Sequence, residues 1–210
     1  MATKAQINSF IDKLSALAIA ECVKRDKKIC PSVCIAQAAL ETGWGTSSLM
    51  TRANAYFGIK AGGSWRGKVY NSKTKECYDG KTLVDTSAYF RAYDSLADSV
   101  KDYYDLLTCS SRYSNAVNEG DATKCIKAIK AGGYATDPLY VSKITNIIKS
   151  YNLTKYDACM LSTSEVAETY MWNIARKVGF DDIPAAVAAM KTIKHGYPDA
   201  FFRKIYEKLK

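Results

Sequence analysis

Glu41 closes a helical pattern: Ala39-Leu40-Glu41-Thr42 runs into Gly43-Trp44-Gly45, so a carboxyl stands at a helix end with an indole close by in sequence. Both surroundings disfavour ionisation. Apolar surface strips hydration from the charged form, and the partial negative charge of a helix C-terminus repels it, so the carboxyl pKa is expected to rise. A carboxyl that keeps its proton near neutral pH can act as a general acid. A solvated glutamate near a helix end is the commoner case, and this segment by itself leaves both readings open.

The helix that carries Glu41 is readable. Pro31 suits a first helical position, and Val33, Ala36, Leu40 and Trp44 recur at helical spacing as a buried stripe. Gln37 and Glu41 stand one turn apart on a neighbouring face, where both could line the wall of a cleft. Downstream, Asp79-Gly80 is a tight-turn dipeptide between Glu76-Cys77-Tyr78 and Thr82-Leu83-Val84, which predicts a β-hairpin with Glu76 and Tyr78 on one face.

Further segments follow in a recognisable order: Asn54-Ala55-Tyr56-Phe57-Gly58-Ile59-Lys60, Trp65-Arg66-Gly67, Thr74-Lys75-Glu76, Phe90-Arg91-Ala92-Tyr93-Asp94-Ser95 and Tyr134-Ala135-Thr136-Asp137-Pro138. From about residue 8 to residue 153 the chain resembles glycoside hydrolase family 73, the bacterial and phage endo-β-N-acetylglucosaminidases that cut peptidoglycan. The resemblance implies a lysozyme-like fold. It places the catalytic acid on Glu41, a second acidic residue on the hairpin at Glu76, and an active-site tyrosine at Tyr134. The sequence departs from the usual family wording at Thr42, where serine is common, and at Ala55-Tyr56 before Phe57-Gly58. Neither change removes a group the chemistry needs.

Glycoside hydrolysis requires an acid for the leaving oxygen and a second group at the anomeric carbon. Glu41 fills the first role. For the second, either the acetamido oxygen of the sugar attacks or Glu76 activates a water, and Tyr134 would hydrogen-bond the acetamido group or position the water. Sugar rings stack C–H faces on aromatic groups, so Tyr56, Phe57, Trp65 and Tyr78 are the expected substrate contacts together with Gln37. With 15 tyrosines in the chain, aromatic abundance alone decides nothing.

A net charge of +9 favours a polyanionic partner. The sequence carries no nucleic-acid-binding motif, so peptidoglycan stems and anionic wall polymers are the expected partners, with no nucleic acid. Seven cysteines (Cys22, Cys30, Cys34, Cys77, Cys109, Cys125 and Cys159) are scattered and odd in number, which reads as free thiols of a reducing compartment. Cys30 and Cys34 lie one helical turn apart, but the only histidine is His195 and no second cysteine pair has zinc spacing, so neither a metal nor another cofactor is expected. Residues 1–20 lack the basic and apolar regions of an export signal, and no apolar run reaches the ~20 residues of a membrane span. That pattern suggests an endolysin held in the host cytoplasm until release to the wall, or a virion-borne hydrolase.

The remaining elements read as helical. Ile7, Phe10, Ile11, Leu14 and Leu17 share helical spacing; Ser95 caps a helix bearing Leu96, Val100, Tyr103 and Leu107; Asp121 caps one with Ile126 and Ile129 that stops at Gly132-Gly133. Asp137-Pro138 opens a helix with Val141, Ile144 and Ile148 on one face. The expected architecture is α+β and mainly α: a lysozyme-like catalytic domain over 1–153 with a small β-hairpin lobe, a linker over 154–163, and a three-helix unit over 164–210. That last unit would bind cell wall, associate with a second copy, or pack as mere structure. The expected function is peptidoglycan cleavage after N-acetylglucosamine. An N-acetylmuramidase, a lytic transglycosylase and a non-catalytic glycan-binding virion protein are the alternatives.

Overall fold

The computed structural model describes residues 2–77 and 83–160, with hairpin positions 73–77 and 83–86 described by backbone alone. Tyr78, the Asp79-Gly80 turn and the expected three-helix unit over 164–210 lie outside the described residues.

The organising element is α2 (Pro31–Thr42), in which every residue from 31 to 39 is buried. A helix apolar on all sides belongs at the centre of a fold. Pro31 begins it, because the missing N–H costs nothing at a first helical position, and Gly43 ends it in the left-handed region at φ 55°. Around α2 pack α1 (Lys4–Val23), α5 (Ala122–Ala131), α6 (Tyr140–Ser150) and a 3-10 segment, Leu153–Met160. The expected stripe of α1 is observed: Phe10, Ile11 and Leu14 are buried, and each such side chain contributes about 1.5–3 kcal/mol when fully removed from water. A capping box between Thr3 and Gln6 starts this helix.

Helix α4 (Leu96–Cys109) starts on a Ser95–Asp98 capping box and buries Val100, Tyr103, Tyr104 and Leu107. The Tyr104 hydroxyl donates to the carbonyls of Ala18 or Ile29, at 3.1 and 3.2 Å, which ties α4 to α1 and to the approach of α2. Arg25 strengthens the same junction by pairing with Glu21 and Asp105. Short α3 (Ser48–Ala53) leads to the hairpin lobe. There β1 (Lys68–Cys77) and β2 (Leu83–Ala92) pair antiparallel, in register from Lys68↔Ala92 to Cys77↔Leu83. Its base is anchored where Arg91 donates to the Ile59 carbonyl and Ala61 to the Tyr89 carbonyl.

Two expectations need correction. Helix α6 begins at Tyr140 rather than at Pro138, because Asp137 accepts from the Leu139 N–H and folds the intervening residues into a turn; the buried stripe is Tyr140, Ile144 and Ile148, with Val141 half-exposed. Residues 154–160, expected to open a linker, instead continue from Leu153 as a segment packed on the core. Leu153 is fully buried, and Asp157 accepts from both the backbone N–H and the hydroxyl of Ser32 at 2.7 and 2.6 Å.

Candidate active site

Between the end of α2 and the hairpin base lies a cleft of about 880 Å³. It is lined by Leu40 and Glu41, by Phe57 to Lys60 and the hairpin residues Ser72, Phe90 and Arg91, and by Arg112, Tyr113 and the run 133–137 with Tyr140 and Lys143. Glu41 occupies the last turn of α2, as expected, and solvent reaches it from the open side. The walls nevertheless strip enough water from the carboxyl to hold its pKa above the ordinary range, against a lowering contribution from a hydrogen bond with Tyr140. The apolar surface responsible is not the expected indole. Trp44 adopts φ 63° and turns away to meet Phe10 and Tyr151 edge-on, at centroid distances of 5.8 and 4.6 Å.

Tyr134 reaches the cleft with its ring among Tyr103, Tyr113 and Tyr140, and its hydroxyl lies 3.4 Å from the Phe57 carbonyl. Phe57 lines the cleft but is only 3% exposed, its ring stacked on Tyr103 at 4.0 Å. Glu76 is paired with Val84 on the hairpin, at the same strand parity as the cleft residue Ser72 and roughly 13 Å further along β1.

Three expected substrate contacts are placed elsewhere. Gln37 is fully buried: its amide nitrogen donates to the Tyr140 hydroxyl at 2.9 Å, and its carbonyl accepts from the Tyr103 hydroxyl at 2.5 Å. Helical spacing put it on the Glu41 face, but α6 and α4 cover it one turn below the opening. Tyr56 is 1% exposed and packs edge-on against Phe10. Trp65 lies outside the cleft; Arg91 covers its ring at 4.7 Å, and its indole N–H donates to the Lys68 carbonyl.

Sequence reasoning missed Tyr140, whose hydroxyl donates to Glu41 Oε1 at 3.0 Å. The signal was present, since Tyr140, Ile144 and Ile148 repeat every four residues as the true buried face of α6. Arg112 at the rim was also missed. It sits over the Tyr113 ring at 4.7 Å, an ordinary exposed arginine by sequence.

A central buried helix ending in a carboxyl whose pKa is raised by desolvation, with a two-stranded lobe at an open cleft, is the arrangement of lysozyme-like glycan-cleaving domains. The chain belongs to glycoside hydrolase family 73: the glucosaminidase family model, described as mannosyl-glycoprotein endo-beta-N-acetylglucosaminidase, matches residues 17–153. It is 38% identical over 146 residues to the peptidoglycan hydrolase FlgJ of Escherichia coli (strain K12), covering 67% of this chain and 43% of that protein. It is 35% identical over 153 residues to the exo-glucosaminidase LytG of Bacillus subtilis (strain 168), covering 70% and 52%. The chain thus spans about half or less of these relatives' lengths. Among solved structures, the catalytic domain of the autolysin Auto from Listeria monocytogenes superposes with a TM-score of 0.62 at 35% identity, over 74% of this chain and 90% of that one.

Proposed function

We propose that this protein is a peptidoglycan hydrolase that cleaves the β-1,4 bond after N-acetylglucosamine, with Glu41 as general acid. The observation that carries the reading is the cleft carboxyl itself: open to a glycan, its pKa raised by the desolvating walls, and supplied with a donor for the charge it acquires. Glu41 gives its proton to the glycosidic oxygen as the C–O bond breaks, and positive charge grows at the anomeric carbon. That charge is met by the acetamido oxygen of the same sugar or by a water deprotonated by Glu76. Tyr134, beside Glu41 in the cleft wall, is suited to orient the acetamido group. Exposed Arg112 offers a cation to the lactyl or stem-peptide carboxylates that distinguish peptidoglycan from a neutral chitin-like chain.

Glu41→Gln removes the transferable proton while keeping the shape, and should lower turnover about 10²–10⁴-fold with binding and melting temperature nearly unchanged. Wild-type turnover in that variant would overturn the assignment. Glu76→Gln should be severe if its carboxylate activates water and mild if the acetamido group attacks. Mass spectrometry of reduced products reads the bond: N-acetylglucosaminitol ends support the proposal, N-acetylmuramitol ends indicate a muramidase, and anhydromuramyl ends a transglycosylase. Endo cleavage yields internal fragments early, whereas the exo mode named for LytG releases small products from chain ends. The narrower endolysin reading is tested by expressing the full chain in a susceptible host: lysis only when a membrane-permeabilising protein is co-expressed supports it.

A further inference from the structure

The deepest polar feature of the cleft is a line of hydrogen bonds running inward from Glu41 through Tyr140 and Gln37 to Tyr103. Gln37 and Tyr103 are fully buried and Tyr140 is 4% exposed. Its direction follows from donor counting. An ionised glutamate can only accept, so the single Tyr140 proton must go to Glu41 Oε1, at 3.0 Å. The Tyr140 oxygen must then accept from the Gln37 amide at 2.9 Å, which turns the Gln37 carbonyl inward, where it accepts the Tyr103 proton at 2.5 Å. With Glu41 ionised, every group in the line has one orientation; with Glu41 protonated, the Gln37 amide still donates to the Tyr140 oxygen and leaves the Tyr140 proton for Oε1.

We propose that Gln37 and Tyr140 are positioning residues for the acid: by committing Glu41 Oε1 to an inward hydrogen bond, they leave the transferable proton on Oε2, toward the glycan. This inference rests on Glu41 being the general acid. When the proton departs, the same line is already oriented to stabilise the carboxylate, so no group needs to turn during the step. The line also opposes the effect of burial, which raises the Glu41 pKa while the Tyr140 hydrogen bond lowers it. A neutral side chain lies beneath the acid. A second carboxylate in place of Gln37 would push the Glu41 pKa higher still and make the proton harder to give.

The test is the pH dependence of Tyr140→Phe, which deletes one oxygen. A general acid works only while protonated, so the alkaline limb of kcat/KM follows the Glu41 pKa. Removing the donor should move that limb to higher pH and lower kcat about tenfold or more, with KM little changed. Gln37→Met should shift the limb in the same direction by less, because Tyr140 then loses the partner that fixes its proton. The cleft's other charged groups, Lys60, Arg91, Arg112, Lys143 and Asp137, and the phenols of Tyr113 and Tyr134, are the same in both variants, so a shift reports the line itself. A side-chain ¹³C titration of Glu41 reads the same pKa without any turnover. An unmoved limb and an unmoved carboxyl titration in a folded variant overturn the inference, even if stability falls. If Glu41→Gln remains active, the functional assignment fails; if Glu41→Gln is dead while Tyr140→Phe and Gln37→Met keep the wild-type limb, only the positioning role fails.

Discussion

Two adjacent glycines at the cleft wall do different jobs. Gly132 ends α5, and a Cβ placed there would fall 2.4 Å from the Tyr113 ring and 2.6 Å from the Arg112 carbonyl. Gly133 needs glycine for its backbone, at φ +84°, yet a Cβ there meets nothing within 4 Å. Gly132→Ala must therefore displace the wall that carries Arg112 and Tyr113, and should lower stability by about 1–3 kcal/mol while raising KM. Gly133→Ala should lower stability by about 1–2 kcal/mol and change KM less. Thermal melts beside steady-state kinetics separate the two, and equal KM values in both variants would contradict the account.

Among the elements, the segment Leu153–Met160 carries more than its sequence suggested. Asp157 holds the first turn of α2 through Ser32, Lys28 donates to the Cys159 carbonyl at 2.7 Å, and Met160 reaches Cys22 on α1. Burial pushes the Asp157 carboxyl up to about 6, against lowering contributions from its two Ser32 hydrogen bonds. The folded state then holds this proton more tightly than the unfolded chain, where the carboxyl titrates near 3.8. Stability from this group is present below about pH 4 and is lost as pH rises to about 6. Asp157→Asn keeps a carbonyl for the Ser32 N–H without the ionisation. Its stability relative to wild type should rise between pH 4 and 6 by roughly 1–2 kcal/mol, after discounting for partial exposure, and then level off. Melting curves at pH 4, 5, 6 and 7 check this, and a difference independent of pH would refute it.

Over the whole molecule, Met1–Met160 forms one compact unit, ending beyond the family match at residue 153. A chain ending at Met160 keeps the Asp157, Cys159 and Met160 contacts; one ending at Lys155 loses all three. The shorter truncation should melt several degrees below the longer one. The longer one should still cleave soluble glycan chains. If residues 161–210 target the wall, it should also sediment less with intact cells than the full chain does, and equal sedimentation would rule that role out. Analytical ultracentrifugation of both forms reads self-association independently.

The sequence by itself determined what depends on neighbours along the chain. Pro31, Ser95 and Asp121 started their helices where local sequence dictated, and Gly43 and Gly132 stopped two of them. Glu41 was legible for the same reason, because a helix end, its glycines and the surrounding motifs are all local in sequence. What only the tertiary structure decided was which face of each element met which other. Gln37 and Glu41 share a side of α2, but α4 and α6 cover one and leave the other open, so a residue expected to touch glycan instead hydrogen-bonds Tyr140 and Tyr103 in the interior. Trp44, close to Glu41 in sequence, has a left-handed backbone and packs on Phe10 of α1 and Tyr151 at the end of α6. Tyr140, 99 residues from Glu41, reaches it only because α6 packs along α2. Periodicity reports that a face is buried. Its partner is set by packing across the core, which sequence spacing alone does not encode.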